Sequence, residues 1–174
     1  MTGGAGFIGS HTCLVLLENG FQIYVIDSFI NSSAESLNRV LEILKNKGIN
    51  AERNINLFNF DLKNERKVEA VFQDAYSKNK PIEAVIHFAG LKSVSESISE
   101  PLKYWENNVN GTINLLKIME KFNCKNIVFS SSATVYKAKS DKLLKENDSC
   151  EPINPYGNTK LNIERILKDK VKGL

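Results

Sequence analysis

A doubly wound α/β fold, with a parallel sheet covered by helices on both faces, is predicted by three observations. Short β-branched and aromatic runs alternate with helix-length amphipathic segments along the 174 residues. Such alternation implies right-handed crossovers between parallel strands. The chain also opens on TGGAGFIG, a glycine loop of the kind that turns a strand into a helix.

Each element has its own signal. IGSHTCLVLLENG (8–20) puts Leu14 and Leu17 on one helical stripe and closes at Gly20. FQIYVIDSF (21–29) reads as a strand buried on both faces. SSAESLNRVLEILKNKG (32–48) opens on a serine cap and repeats Leu37, Val40, Leu41 and Leu44 at helical spacing. INLFNFDL (55–62) reads as a strand, NERKVEAVFQDAYSKN (64–79) as an amphipathic helix, and IEAVIHFAG (82–90) as a strand ending in a glycine turn. PLKYWENNVNGTINLLKIMEKF (101–122) is a long helix opened by a proline. NIVFSSSATVY (126–136) is a strand, apolar and then hydroxyl-rich, and YGNTKLNIERILKDKV (156–171) is a helix reached through Pro152 and Pro155.

Composition narrows the function classes. Hydrophobic residues at 42% and charged residues at 25% predict an ordered globular chain. Lys and Arg number 23 against 20 Asp and Glu, a net +3 too small and too spread for a nucleic-acid or membrane face. The Lys-rich KAKSDKLLKEN (137–147) reads as a solvated loop. No apolar run approaches the roughly 18 residues of a membrane span, and the opening residues are not a signal peptide. Cys13, Cys124 and Cys150 lack CxxC spacing and read as free thiols in a reducing cytoplasm, with no metal site. His11 and His87 read as structural, and Trp105 beside Tyr104 as core or interface.

Ligands of a parallel sheet bind beyond the carboxyl ends of its strands. In TGGAGFIG, Gly3 makes the tight turn, Gly6 lets backbone approach a pyrophosphate, and Gly9 lets the helix pack close to the sheet. Asp27 ends the next strand, where a carboxylate accepts bonds from an adenosine ribose and repels a 2′-phosphate, selecting NAD over NADP. Asp61 and Leu62 stand where an adenine edge would lie, although Asp61 is equally suited to cap the following helix. Phe88, Ala89 and Gly90 stand beside the pyrophosphate. Tyr156 and Lys160 lie at i and i+4 on a helix start, and an ammonium there stabilises a phenolate able to act as a base.

Ser132, Tyr156 and Lys160 on such a domain resemble the constellation of the short-chain dehydrogenase/reductase superfamily. Within its extended group, TGGAGFIGSHT, HFAGLKSVSES, NNVNGT, SSSATVY and PYGNTK resemble the N-terminal half of the UDP-glucose 4-epimerase family, over almost the whole chain. The resemblance implies a Rossmann-like NAD-binding domain over 1–174, acting on UDP-glucose and UDP-galactose through a transient 4-keto sugar, with NAD retained. Tyr156 would take the 4-hydroxyl proton, Ser132 would bond the same oxygen, and Lys160 would also hold the nicotinamide ribose. Phe7, Ile8, Asn31, Lys92 and Asn107 would join the cofactor shell, and Lys92, Ser132 and Tyr156 would meet the sugar nucleotide. A cytoplasmic homodimer built on helices corresponding to 101–122 and 156–171 is implied as well.

Two departures stand out. Related 4,6-dehydratases carry an acidic pair after a threonine where this chain has Ala133 and Thr134, which disfavours dehydration. Lys137 replaces the glycine that usually follows ATVY. The family also has an apolar strand before TGG, at the centre of the sheet, and a C-terminal substrate domain. The chain is therefore expected to be inactive alone and poorly folded, because strands flanking a missing one expose unpaired backbone groups. The rival readings are an enzyme acting on another nucleotide sugar and a non-catalytic NAD-binding module.

Overall fold

The computed structural model describes residues 1–137 and 143–172, and side chains up to Lys170. Among them, β1 (Ile23–Asp27) pairs in parallel with β2 (Ile55–Asn59), in register from Ile23↔Ile55 to Asp27↔Asn59. Likewise β3 (Ala84–His87) pairs in parallel with β4 (Asn126–Phe129), from Ala84↔Asn126 to His87↔Phe129. The predicted parallel α/β arrangement is the observed one.

Thr2 joins the two pairs through parallel bridges to Ile26 and to His87. Met1 N donates to Tyr24 O at 2.6 Å, Ile26 N to Met1 O at 2.9 Å and Gly3 N to Ile26 O at 2.8 Å. On the other side Thr2 N donates to Ile86 O and Phe88 N to Thr2 O, each at 3.0 Å. This corrects the expectation that β1 and β3 lack a shared neighbour. A parallel ladder forms residue by residue, so Met1 and Thr2 suffice to join the carboxyl ends of both strands.

Helices α1 (Phe7–Glu18) and α2 (Glu35–Asn46) pack with β1 through Cys13, Leu17, Val25, Leu37, Val40 and Leu44. All five residues of β1 are buried, as a strand covered on both faces requires. Helix α3 (Glu65–Ser77) meets α6 (Gly111–Lys121) through the ion pairs Lys117–Glu65 and Lys121–Glu69, and Phe72 packs on Phe122 just beyond α6, ring centroids 5.6 Å apart.

Other boundaries shift. Helix α2 begins at Glu35, and the expected serine lies two residues before it, Ser33 Oγ accepting Glu35 N–H at 3.2 Å. The predicted long helix of 101–122 is α5 (Pro101–Tyr104), a π-helical segment (Trp105–Asn110) and α6 in succession, preceded by the unforeseen α4 (Val94–Ser99). The strand predicted to reach 136 ends at Phe129, and Ala133–Val135 forms a 3₁₀ turn instead. Helix α7 spans Pro155–Lys172. The chain divides into two compact units, Met1–Ala89 with Asn114–Ser130, and Gly90–Ile113 with Ser131–Leu174.

Candidate active site

The first unit holds the glycine turn. Gly3 has φ 67°, and a Cβ on it would stand 2.6 Å from Ala89 N, so only glycine lets this backbone lie on the end of β3. A Cβ on Gly9 would stand 2.2 Å from Gly3 O and 2.7 Å from Gly4 Cα, which is the close packing expected of it. Gly6 is the N-cap of α1, and Phe7 and Ile8 are exposed in the first turn of that helix. A first helical turn offers N–H groups without intrahelical partners and a positive dipole end.

Asp27, at the end of β1, is buried. Its Oδ2 accepts Ala5 N–H at 2.9 Å, while Oδ1 accepts Phe29 N–H at 3.0 Å and the Ser32 hydroxyl at 2.7 Å. The carboxylate thus fastens the glycine turn to the segment after β1. A carboxylate has about four acceptor positions, so capacity remains for a ligand hydroxyl. Asn31 is exposed nearby in sequence. Asp61 does not cap α3: it accepts Lys63 N–H at 2.8 Å, whereas Asn64 caps the helix by accepting Lys67 N–H at 3.2 Å. Leu62 is buried, and Phe88 and Ala89 are half-buried. His87 is a core residue, its Nδ1 2.6 Å from Thr2 Oγ1.

The second unit holds Gly90, Lys92, Asn107, Ser132, Tyr156 and Lys160. Ser132 Oγ accepts Thr134 N–H at 3.2 Å and the Thr134 hydroxyl at 2.9 Å. A hydroxyl has two acceptor positions and one proton, so with both positions filled Ser132 is left to act as a donor. Helix α7 starts at Asn154–Pro155, with Asn154 Oδ1 accepting Gly157 N–H at 2.8 Å and proline in the first helical position. This cap fixes the turn that carries Tyr156.

Tyr156 is buried with Leu91 and Tyr104, and its ring meets Tyr104 edge-on, centroids 6.4 Å apart at 81°. Lys160 is only 5% exposed, and burial pulls its pKa down to about 8. A Cβ on Gly90 would stand 3.7 Å from Lys160 Nζ, so the glycine at the end of FAG lies beside the ammonium. Lys92 is exposed and Asn107 half-buried. Lys137 is exposed; its N–H bonds Ser149 O at 3.0 Å and its ammonium pairs with Glu151 at 2.7 Å. The loop expected at 137–147 falls partly outside the described residues.

Sequence reasoning missed Asn108. Buried in the π-helical segment, it accepts Leu91 N–H at 2.8 Å and donates to Leu91 O at 3.0 Å and Thr159 Oγ1 at 3.1 Å. Thr159 in turn donates to Tyr156 O at 2.7 Å. Partners so distant in the chain leave no local signal. The Asn154–Pro155 cap, by contrast, is readable as a helix start. Also missed was Gly157, where a Cβ would stand 2.5 Å from Thr134 O, bringing the 3₁₀ turn against the start of α7.

A glycine-turned parallel α/β sheet, with a serine opening the turn that follows a strand and a buried Tyr-x-x-x-Lys helix start, defines the extended short-chain dehydrogenase/reductase class. Within that class the chain belongs to the family described as GDP-mannose 4,6 dehydratase, whose model matches residues 1–171. It is 48% identical over 169 residues to the UDP-glucose 4-epimerase of Bacillus subtilis, covering 97% of this chain and 46% of that protein. A bifunctional UDP-glucose and UDP-xylose 4-epimerase of Pisum sativum matches at the same 48% and the same coverage. Among solved structures, the UDP-glucose 4-epimerase of Stenotrophomonas maltophila, with bound NAD and formylated UDP-arabinopyranose, superposes with a TM-score of 0.85 at 37% identity, over 99% of this chain and 48% of that one. The Bifidobacterium longum enzyme with NAD+ and UDP gives a TM-score of 0.82 at 40% identity, over 97% and 47%. The chain spans about half the length of these relatives. Among the described residues no helix is long and apolar enough to cross a membrane, and no group of His, Cys, Asp and Glu could hold a metal ion.

Proposed function

We propose that the chain carries the NAD-binding and acid–base part of a UDP-glucose 4-epimerase, as one incomplete Rossmann-like domain over 1–174. The observation that carries this reading is a buried lysine one helical turn beyond a buried tyrosine, in the same unit as a serine left with only its proton to offer. The residues of the first unit fit NAD: Gly3 and Gly9 admit only hydrogen, the first turn of α1 suits a pyrophosphate, and Asp27 retains acceptor capacity for a ribose. NAD, when bound, supplies a hydride acceptor and then a donor for C4 of the sugar.

The chain's own residues move the proton. Tyr156, as phenolate, takes the proton of the 4-hydroxyl and later returns it to the same oxygen. Ser132 donates a hydrogen bond to that oxygen and steadies the charge that develops there. The Lys160 ammonium stabilises the phenolate. Ala133 and Thr134 offer no carboxylate for removing water, so the reaction in the family's name is not the one proposed. The substrates are UDP-glucose and UDP-galactose, the setting is the cytoplasm, and the full-length protein is a homodimer. The exposure of Leu102 at the start of 101–122 supports the last point.

The test places residues 1–174 in the Bacillus subtilis enzyme in place of its matched half and follows interconversion of a panel of UDP-sugars, UDP-xylose included. UDP-glucose and UDP-galactose are expected to interconvert, and Tyr156→Phe to lower turnover by about 10²-fold or more. Undiminished turnover in Tyr156→Phe would remove Tyr156 from the mechanism, and NAD binding without any turnover in the unsubstituted hybrid would favour the non-catalytic module instead.

A further inference from the structure

Two serines end the segment after β4, and only the second takes part in the chemistry described so far. The Ser131 hydroxyl donates to Glu164 Oε1 on α7, and both side chains are half-buried. Glu164 follows Lys160 by four residues, so the two share a helix face about 6 Å apart along the axis. Ser132 is extended, with φ −155° and ψ 146°, so its side chain and that of Ser131 leave the chain on opposite sides. Holding one therefore aims the other.

A second contact lies just beyond Ser132. Thr134 O abuts Gly157, where a Cβ would stand only 2.5 Å away. The backbone of Ser132 is thus pinned to α7 on both sides, at Glu164 through Ser131 and at Gly157 through Thr134. Tyr156 and Lys160 lie on the same helix, one beside Gly157 and the other between the two anchor points. A hydroxyl bonded to an ionised carboxylate is stronger and more directional than a neutral pair.

We propose that Ser131 and Glu164 form a latch that positions Ser132 against the helix carrying Tyr156 and Lys160. Neither touches substrate; both are positioning residues, and the proposal rests on the proton-transfer role of Ser132 in the proposed function. Glu164→Gln keeps an acceptor for Ser131, whereas Glu164→Ala and Ser131→Ala remove the bond.

Hydrogen exchange on the 174-residue chain tests the latch without turnover. Glu164→Ala and Ser131→Ala are expected to speed exchange of the Thr134, Val135 and Tyr136 amides at least tenfold, with the double variant no faster than either single one. Glu164→Gln should restore slow exchange, and the β1–β2 amides should not change. In the protein assayed for epimerisation, both alanine variants should lower kcat about tenfold with KM within twofold, and Glu164→Gln should recover most of it. Unchanged exchange in the alanine variants, or unchanged kcat in them where the wild-type protein turns over, would overturn the latch. A wild-type protein without epimerase activity would overturn the functional reading, and the exchange result alone would then decide the latch.

Discussion

Lys160 is where burial and chemistry meet most directly. Loss of water disfavours its ammonium, and the pKa falls from 10.5 to about 8. The charge that would steady a Tyr156 phenolate in the proposed mechanism is therefore present below about pH 8 and lost above it. Turnover should fall as pH rises through that value, and the alkaline limb should vanish from the slow residual activity of Lys160→Met; a kcat profile flat to pH 9.5 would contradict this. The same displacement acts on stability in a defined direction. The unfolded chain binds more protons between pH 8 and 10.5, so the fold is penalised below pH 8 and recovers as pH rises across that window. At this scale the tight turn at Gly3, the close packing at Gly9, the place of Asp27 at a strand end and that of Tyr156 and Lys160 on a helix start are legible in the sequence because fixed offsets carry their logic. Asn108 and Thr159 are not, because their bonds join residues far apart in the chain.

Helix α7 and the π-helical segment show what elements add to the residues they carry. Asn154 caps the turn on which Tyr156 sits, so Asn154→Ala should cost about 1 kcal/mol of stability, read from urea unfolding. The π-helical segment reads as plain helix in the sequence because apolar spacing cannot register one wider turn. Yet that segment carries the amide that ties Leu91, at the mouth of the loop after β3, to Thr159 on α7. Asn108→Ala orphans buried backbone groups at Leu91 and should destabilise by about 1–3 kcal/mol for each group left unpaired. A midpoint within error of wild type would show that water replaces the amide. The strand expected to run through to residue 136 stops at Phe129 for a related reason. Hydroxyl-rich sequence competes for its own backbone, and Thr134 N–H turns back to Ser132 Oγ instead of extending a ladder.

For the sheet as a whole, the alternation of segments gives away its class, while the joint between its two strand pairs stays hidden. Two residues carry that joint, and pattern reasoning does not count two residues as a strand. In the 174-residue polypeptide itself, Met1 N occupies a backbone position inside the sheet, bonded to Tyr24 O at 2.6 Å, and there it is an amine. Burial lowers its pKa from 8.0 to about 6. Between those values the unfolded chain holds the proton and the folded chain does not, so stability should rise as pH goes from 6 to 8. The difference is on the order of 2 kcal/mol, because each tenfold loss of proton affinity is worth about 1.4 kcal/mol. Urea midpoints of the 174-residue chain at pH 6 and pH 8 measure it directly. An N-terminally acetylated chain, whose amide cannot take up the proton, should lose that part of the slope. If both chains respond to pH alike, the amine is solvated and Met1 does not hold the sheet together.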